Sequence, residues 1–106
     1  MNILILGAGQ VGSSTATQLA KEEDNEVTVV DIDPEKLTKL GSRVDLQTIE
    51  GNAAYPETLK QSGAETADML IAVTSSDEVN MVACQIASTL FDTPKKIARI
   101  RAQEYS

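Results

Sequence analysis

Ile3-Leu4-Ile5-Leu6 is apolar at every position. A run without alternation predicts a strand over 3–6 that is buried on both faces, as at the centre of a parallel sheet. Val11, Thr15 and Leu19, with Gly12, Ala16 and Ala20 beside them, then recur at helical spacing and predict a helix over 11–21. A second strand is expected over 27–30, ending at Asp31. Asp33-Pro34 reads as a helix start, with Asp33 as N-cap and Pro34 at the first helical position. That helix reaches Leu40 and stops at Gly41. A third, weaker strand follows over 46–50, then a short helix from Tyr55-Pro56 to Gly63. The very apolar stretch 69–73 predicts the fourth strand. Ser76 or Asp77 caps a long helix through Phe91, with Val79, Val82, Ala83, Ile86 and Leu90 expected to face inward. A fifth strand is expected over 96–101.

Strands that alternate with helices imply parallel pairing and right-handed crossovers. The expected fold is therefore α/β: a doubly wound parallel sheet, Rossmann-like, in strand order 3-2-1-4-5, forming a single domain over 1–106. A six-stranded version needs one more helix and strand. The sequence stops at Ser106, where they should begin, so truncation before a sixth strand is expected.

Composition narrows the function. Hydrophobic residues make up 42% of the 106, enough for a packed core. Nine Lys and Arg against sixteen Asp and Glu give a formal charge of -7, which argues against a nucleic-acid partner. A single cysteine, Cys84, cannot form an intrachain disulfide and reads as a small core residue, compatible with a reducing cytoplasm. No apolar run approaches the ~20 residues of a membrane span, and the apolar start is too short for a signal peptide. Histidine is absent, which removes the commonest general base and metal ligand together.

Gly7-Ala8-Gly9-Gln10-Val11-Gly12 fits G-x-G-x-x-G, and it lies between a predicted strand and a predicted helix. Gly7 serves the tight turn, Gly9 lets the backbone approach a pyrophosphate, and Gly12 lets the helix pack on the first strand. The helix N-terminus offers unpaired N–H groups and about half a positive charge to an anion. Asp31 ends the second strand, 24 residues after Gly7. A carboxylate there accepts hydrogen bonds from the ribose hydroxyls of an adenosine and repels a 2′-phosphate. Ile32, Asp33 and Pro34 follow it with no arginine among them, so NAD is expected over NADP.

Ligands of open α/β sheets sit beyond the carboxyl ends of the strands. Asn52 at the third strand end suits an adenine edge or a simple turn. Thr74 and Ser75 lie over the glycine loop in this topology and suit ribose or phosphate contacts, whereas Ser76 and Asp77 read as helix caps. Arg99 and Arg101 share one face of the fifth strand, and Arg99 suits a phosphate or an acid such as Asp77 or Glu78. A dehydrogenase needs a proton-transfer group beside the nicotinamide. With no histidine, no Ser-x-x-x-Tyr-x-x-x-Lys and no metal cluster, and with Tyr55 in a loop and Tyr105 in the tail, binding without catalysis is the better reading.

The opening run 2–12 resembles the start of the TrkA family, the peripheral subunits of bacterial Trk potassium-uptake systems, whose domains are called RCK or KTN domains. Asp68-Met69-Leu70-Ile71-Ala72-Val73-Thr74-Ser75-Ser76-Asp77-Glu78, Asn80-Met81-Val82-Ala83-Cys84-Gln85 and Ile97-Ala98-Arg99-Ile100-Arg101 carry the same resemblance across nearly the whole chain. It implies binding of NAD or NADH, with ATP or ADP in several relatives. The implied contacts are residues 7–11, Asp31, the position of Asn52, Thr74, Ser75 and Arg99. Many relatives have Gly-Asp where this chain has Gly51-Asn52. The resemblance further implies a regulatory, non-enzymatic role in which nucleotide-dependent conformation gates a membrane-embedded potassium transporter. The full-length protein would be a dimer or tetramer on the inner face of the cell membrane. The alternatives are the cofactor half of an NAD-dependent dehydrogenase and an interaction domain that binds no nucleotide.

Overall fold

The computed structural model describes residues 1–101. Five strands and four helices alternate: β1 (Asn2–Leu6), α1 (Gln10–Ala20), β2 (Glu26–Asp31), α2 (Pro34–Gly41), β3 (Gln47–Glu50), α3 (Pro56–Gln61), β4 (Met69–Ala72), α4 (Asp77–Leu90) and β5 (Lys95–Ala98). The strands form one parallel sheet in the order β3-β2-β1-β4-β5, as the pattern predicts. β1 is central, and its side chains feed both cores. Ile3 and Ile5 pack with Val27, Val29, Leu37 and Leu40 on the side of α1 and α2. Leu4 and Leu6 pack with Val30, Leu59, Leu70 and Ala83 on the side of α3 and α4. Burial on both faces is why β1 carries no alternation.

Two expectations need correction. The fifth strand is shorter than 96–101: it ends at Ala98, and Arg99 and Arg101 lie beyond it. Among the described residues its one neighbour is β4, which runs out at Ala72, paired with Ala98, and the ladder stops there. Arg99 N–H still donates to Ala72 O at 2.9 Å, and the chain then turns over the sheet end. The inward face of α4 also differs. Asn80, Ala83 and Ala87 are buried, whereas Val82 and Leu90 are exposed. Val79 and Ile86 pack against the core as expected, and only Val82 and Leu90 of the five are left outside. Cys84 is half-buried against this core, and burial pushes its thiol pKa up, with Lys96 opposing the shift.

Candidate nucleotide cleft

The three glycines of the loop do different things. Gly7 has φ +113, and a Cβ there would lie 2.7 Å from Val73 O. Only glycine fits that crossing of β1 and β4. A Cβ on Gly12 would lie 1.8 Å from Gly7 O, so the α1 backbone must pass bare over the turn. Gly9 has neither constraint. Its φ is -71 and ψ -165, open to any residue, and a Cβ there would meet no heavy atom within 4 Å. The protein itself gives no reason for glycine at this position, and the space beside it faces a cleft. Gly9 is also the N-cap of α1, with no side-chain cap and no acid in the first turn. The first N–H groups of α1 therefore lack an intrahelical or side-chain acceptor.

That cleft, about 440 Å³, opens at the carboxyl ends of the strands. Nine of the eleven expected site residues line it: Gly7, Gly9, Gln10, Val11, Asp31, Asn52, Thr74, Ser75 and Arg99. Ala8 and Gly12 do not, and both serve the loop's shape. A cavity of about 420 Å³ at the opposite end of the sheet is lined by Asn2, Glu26 and Gln47 among others, at the amino ends of the strands.

Asp31 holds the loop as well as facing the cleft. Its Oδ2 accepts from Ala8 N–H at 2.7 Å, and its Oδ1 accepts from Asp33 N–H at 2.8 Å. A carboxylate has about four lone-pair sites, so acceptor capacity remains for a ligand. Replacing Asp31 by Ala should remove both roles. Each charge-assisted bond is worth about 1.5–3 kcal/mol. Calorimetry should therefore show nucleotide affinity falling about tenfold or more, and thermal melting should show a lower midpoint as Ala8 and Asp33 lose their acceptor. Unchanged affinity would remove Asp31 from the site.

Asn52 uses Oδ1 to accept from Ala54 N–H at 2.8 Å, the simple turn foreseen for it. Its amide nitrogen makes no hydrogen bond among the described residues and remains available as a donor. Thr74 is bound to Asn80, which sequence reasoning gave no role. Thr74 N–H and its hydroxyl both donate to Asn80 Oδ1, at 2.9 and 2.7 Å. Asn80 Nδ2 donates to Thr74 O at 3.2 Å and to Arg99 O at 2.9 Å. One fully buried amide thus ties the lip after β4 to the chain leaving β5. The signal was a polar residue on the core-facing stripe of α4, where a buried amide must find partners.

Ser76 is the N-cap of α4, accepting from Val79 N–H at 3.1 Å, as expected. Asp77 is the first residue of α4 and not its cap. Its Oδ1 accepts from Arg101 N–H at 3.1 Å and lies 3.7 Å from Arg101 Nε, while Arg101 Nη2 donates to Ser75 O. Asp77 therefore pairs with Arg101 and not with Arg99. The Arg99 side chain lines the cleft, half-buried, and makes no hydrogen bond or ion pair among the described residues. It is a cation available to an anion. Arg101, Ile32 and Lys36 also line the cleft. Arg101 was visible as the partner of Arg99 at period two, and Lys36 as the first-turn cation of the helix after Asp31. Tyr55 is exposed and outside the cleft, and Tyr105 lies outside the described residues. No group of three or more potential metal-ligating residues occurs among the described residues.

Known proteins extend this geometry. The TrkA-N domain family model matches residues 3–106. The Trk system potassium uptake protein TrkA of Halomonas elongata is 59% identical over 105 residues, covering 99% of this chain. This chain spans only 23% of that relative's length. The TrkA-N domain of the inner membrane protein ybaL from Escherichia coli superposes with a TM-score of 0.79 at 24% identity, covering 97% of this chain and 75% of that one. A Shewanella denitrificans Kef C-terminal domain, in AMP-bound form, gives 0.74 at 20% identity, covering 92% and 57%. The family model spans nearly the whole chain and the Halomonas relative agrees with it, and the chain belongs to the TrkA-N domain family.

Proposed function

We propose that this chain is a nucleotide-sensing domain that binds NAD or NADH at the carboxyl end of its sheet and regulates a potassium transporter without consuming the ligand. The observation that carries the reading is Gly9: a glycine with ordinary φ, no protein atom within 4 Å of a would-be Cβ, and the uncapped end of α1 beside it. That is the space a pyrophosphate needs. Asp31 takes the adenosine ribose, Ile32 offers an exposed apolar surface to the base beside the Asn52 amide, and Arg99 takes phosphate charge. ATP and ADP share the adenosine and phosphate groups, and the AMP-bound Kef relative supports adenine nucleotides as a class.

The switch reading rests on how the lip is built. Arg99 and Arg101 lead away from β5 while held by Asn80, Asp77 and Ser75 at the rim of the cleft. A ligand drawing on Arg99 and Thr74 therefore acts on the same segment that leads onward. It shifts that segment only by its differential affinity for two states, about 1–3 kcal/mol. NAD and NADH differ at the nicotinamide alone, so discrimination between them arises near Thr74 and Arg99. No helix among the described residues is long and apolar enough to cross a membrane. On this reading the pore is supplied by a Trk-type transporter partner. The full-length protein assembles as a homo-oligomer on its cytoplasmic face.

Two measurements test this. Calorimetry of the chain with NAD, NADH, ATP and ADP should show saturable binding, weakened about tenfold by Arg99→Gln. In the full-length protein with its transporter, exchanging one nucleotide for another should change potassium flux with no nucleotide turnover. Stoichiometric oxidation of NADH would instead make this the cofactor half of a dehydrogenase.

A further inference from the structure

We propose a second anion site, outside the cleft, for a phosphate monoester. Lys36, Lys39 and Arg43 stand on one side of α2 and just beyond its end, at helical spacing of three and four. Together with Gly9, Gln10 and Ser13 they line a furrow of about 370 Å³ on the outer side of the glycine loop. All three cations are exposed, and none forms an ion pair among the described residues. Arg43 spends only Nε, on Lys39 O at 3.4 Å, which leaves both terminal nitrogens free. Glu35, the acid of the first turn of α2, does not line the furrow.

Three unpaired cations on one short surface are out of keeping with a chain of net charge -7. Like charges held together repel unless an anion joins them. Ser14 lines the furrow as well. Lysines supply point charge and Arg43 a planar fork, a donor set suited to a phosphate dianion. Lys36 and Gly9 line both the furrow and the cleft, so the two sites adjoin across the glycine loop. The expected exclusion of a 2′-phosphate weighed only the residues that follow Asp31 in sequence. Lys36 approaches the same cleft from α2 and opposes that exclusion. The phosphate has two possible sources, a free anion or a group carried on the adenosine ribose of the cleft ligand.

The test uses the full chain and Lys39→Gln/Arg43→Gln, two exposed positions outside the cleft. Calorimetry is run with inorganic phosphate, NAD and NADP at low and moderate salt. The expected result is loss of phosphate binding in the variant, or a fall of about tenfold in NADP affinity, with NAD affinity changed less than about twofold. Loss with phosphate alone identifies a free anion, and loss with NADP identifies a ribose phosphate. Phosphate and NADP titrations that are both unaffected by the substitutions overturn the site. Phosphate binding that depends on Lys39 and Arg43 in a chain that binds no nucleotide would keep this site and remove the nucleotide reading.

Discussion

Replacing Gly9 by Val should abolish nucleotide binding and leave the domain folded. The added side chain would meet no protein atom within 4 Å at its Cβ, and the backbone at Gly9 is extended, a conformation valine prefers. Valine is a poorer N-cap than glycine, by about 1 kcal/mol, which the reduced freedom of the unfolded chain offsets in part. Stability should change by less than about 1 kcal/mol. The ligand loses its approach to the N–H groups of Gln10 and Val11, and affinity should fall by about a hundredfold or more. Gly12→Val is the contrast. Its Cβ would lie 1.8 Å from Gly7 O, so that variant should fail to fold. Calorimetry and thermal melting of both variants separate a ligand glycine from a structural one. A folded Gly9→Val chain with unchanged affinity would contradict the assignment.

The second large effect is expected at Asn80. Its amide is fully buried and serves four hydrogen bonds, three to Thr74 and one to Arg99 O. Asn80→Ala leaves Thr74 N–H and Arg99 O without that partner. Buried groups that lose partners cost about 1–3 kcal/mol each, so a total of about 2–4 kcal/mol is expected. For a domain of this size that lowers the melting midpoint by about 10–20 °C. Asn80→Asp should not rescue it, because a carboxylate cannot donate to the carbonyls of Thr74 and Arg99. Nucleotide affinity should fall in both variants, since Thr74 and Arg99 are no longer held at the lip. A melting point within about 2 °C of the parent would show that the network carries no weight.

The sheet was legible because its signals are local. Apolar runs, Asp33-Pro34 and the glycine loop each specify a neighbourhood of a few residues, and right-handed crossovers then leave few topologies. The end of β5 was not legible. Residues 96–101 keep a strand-like alternation, and only the length of β4 decides where pairing stops. The seating of α4 was missed for a related reason. Hydrophobicity marked Val82 and Leu90 as inward, yet the sheet surface is covered by Val79, Asn80, Ala83, Ile86 and Ala87, and Val82 and Leu90 are left outside.

The site divides in the same way. Gly7, Gly9 and Asp31 lie in a motif whose spacing carries its geometry. Asp31 proved to brace Ala8 as well, a bond spanning 23 residues that no spacing rule displays. Lys36, Asn80 and Arg101 join the site only through tertiary placement, from helices and a strand exit that the sheet brings together. The pairing of Asp77 with Arg101 in place of Arg99 depends on the turn after Ala98, which the period-two reading did not contain.

The central claim is that a nucleotide phosphate sits on the uncapped end of α1. It is tested most directly by titrating the isotope-labelled chain with NADH and following each backbone amide by NMR. The largest shifts should fall on Gly9, Gln10 and Val11, with further shifts at Asp31, Thr74 and Arg99. Saturable binding whose shifts instead centre on Asn2, Glu26 and Gln47, at the opposite end of the sheet, would contradict it.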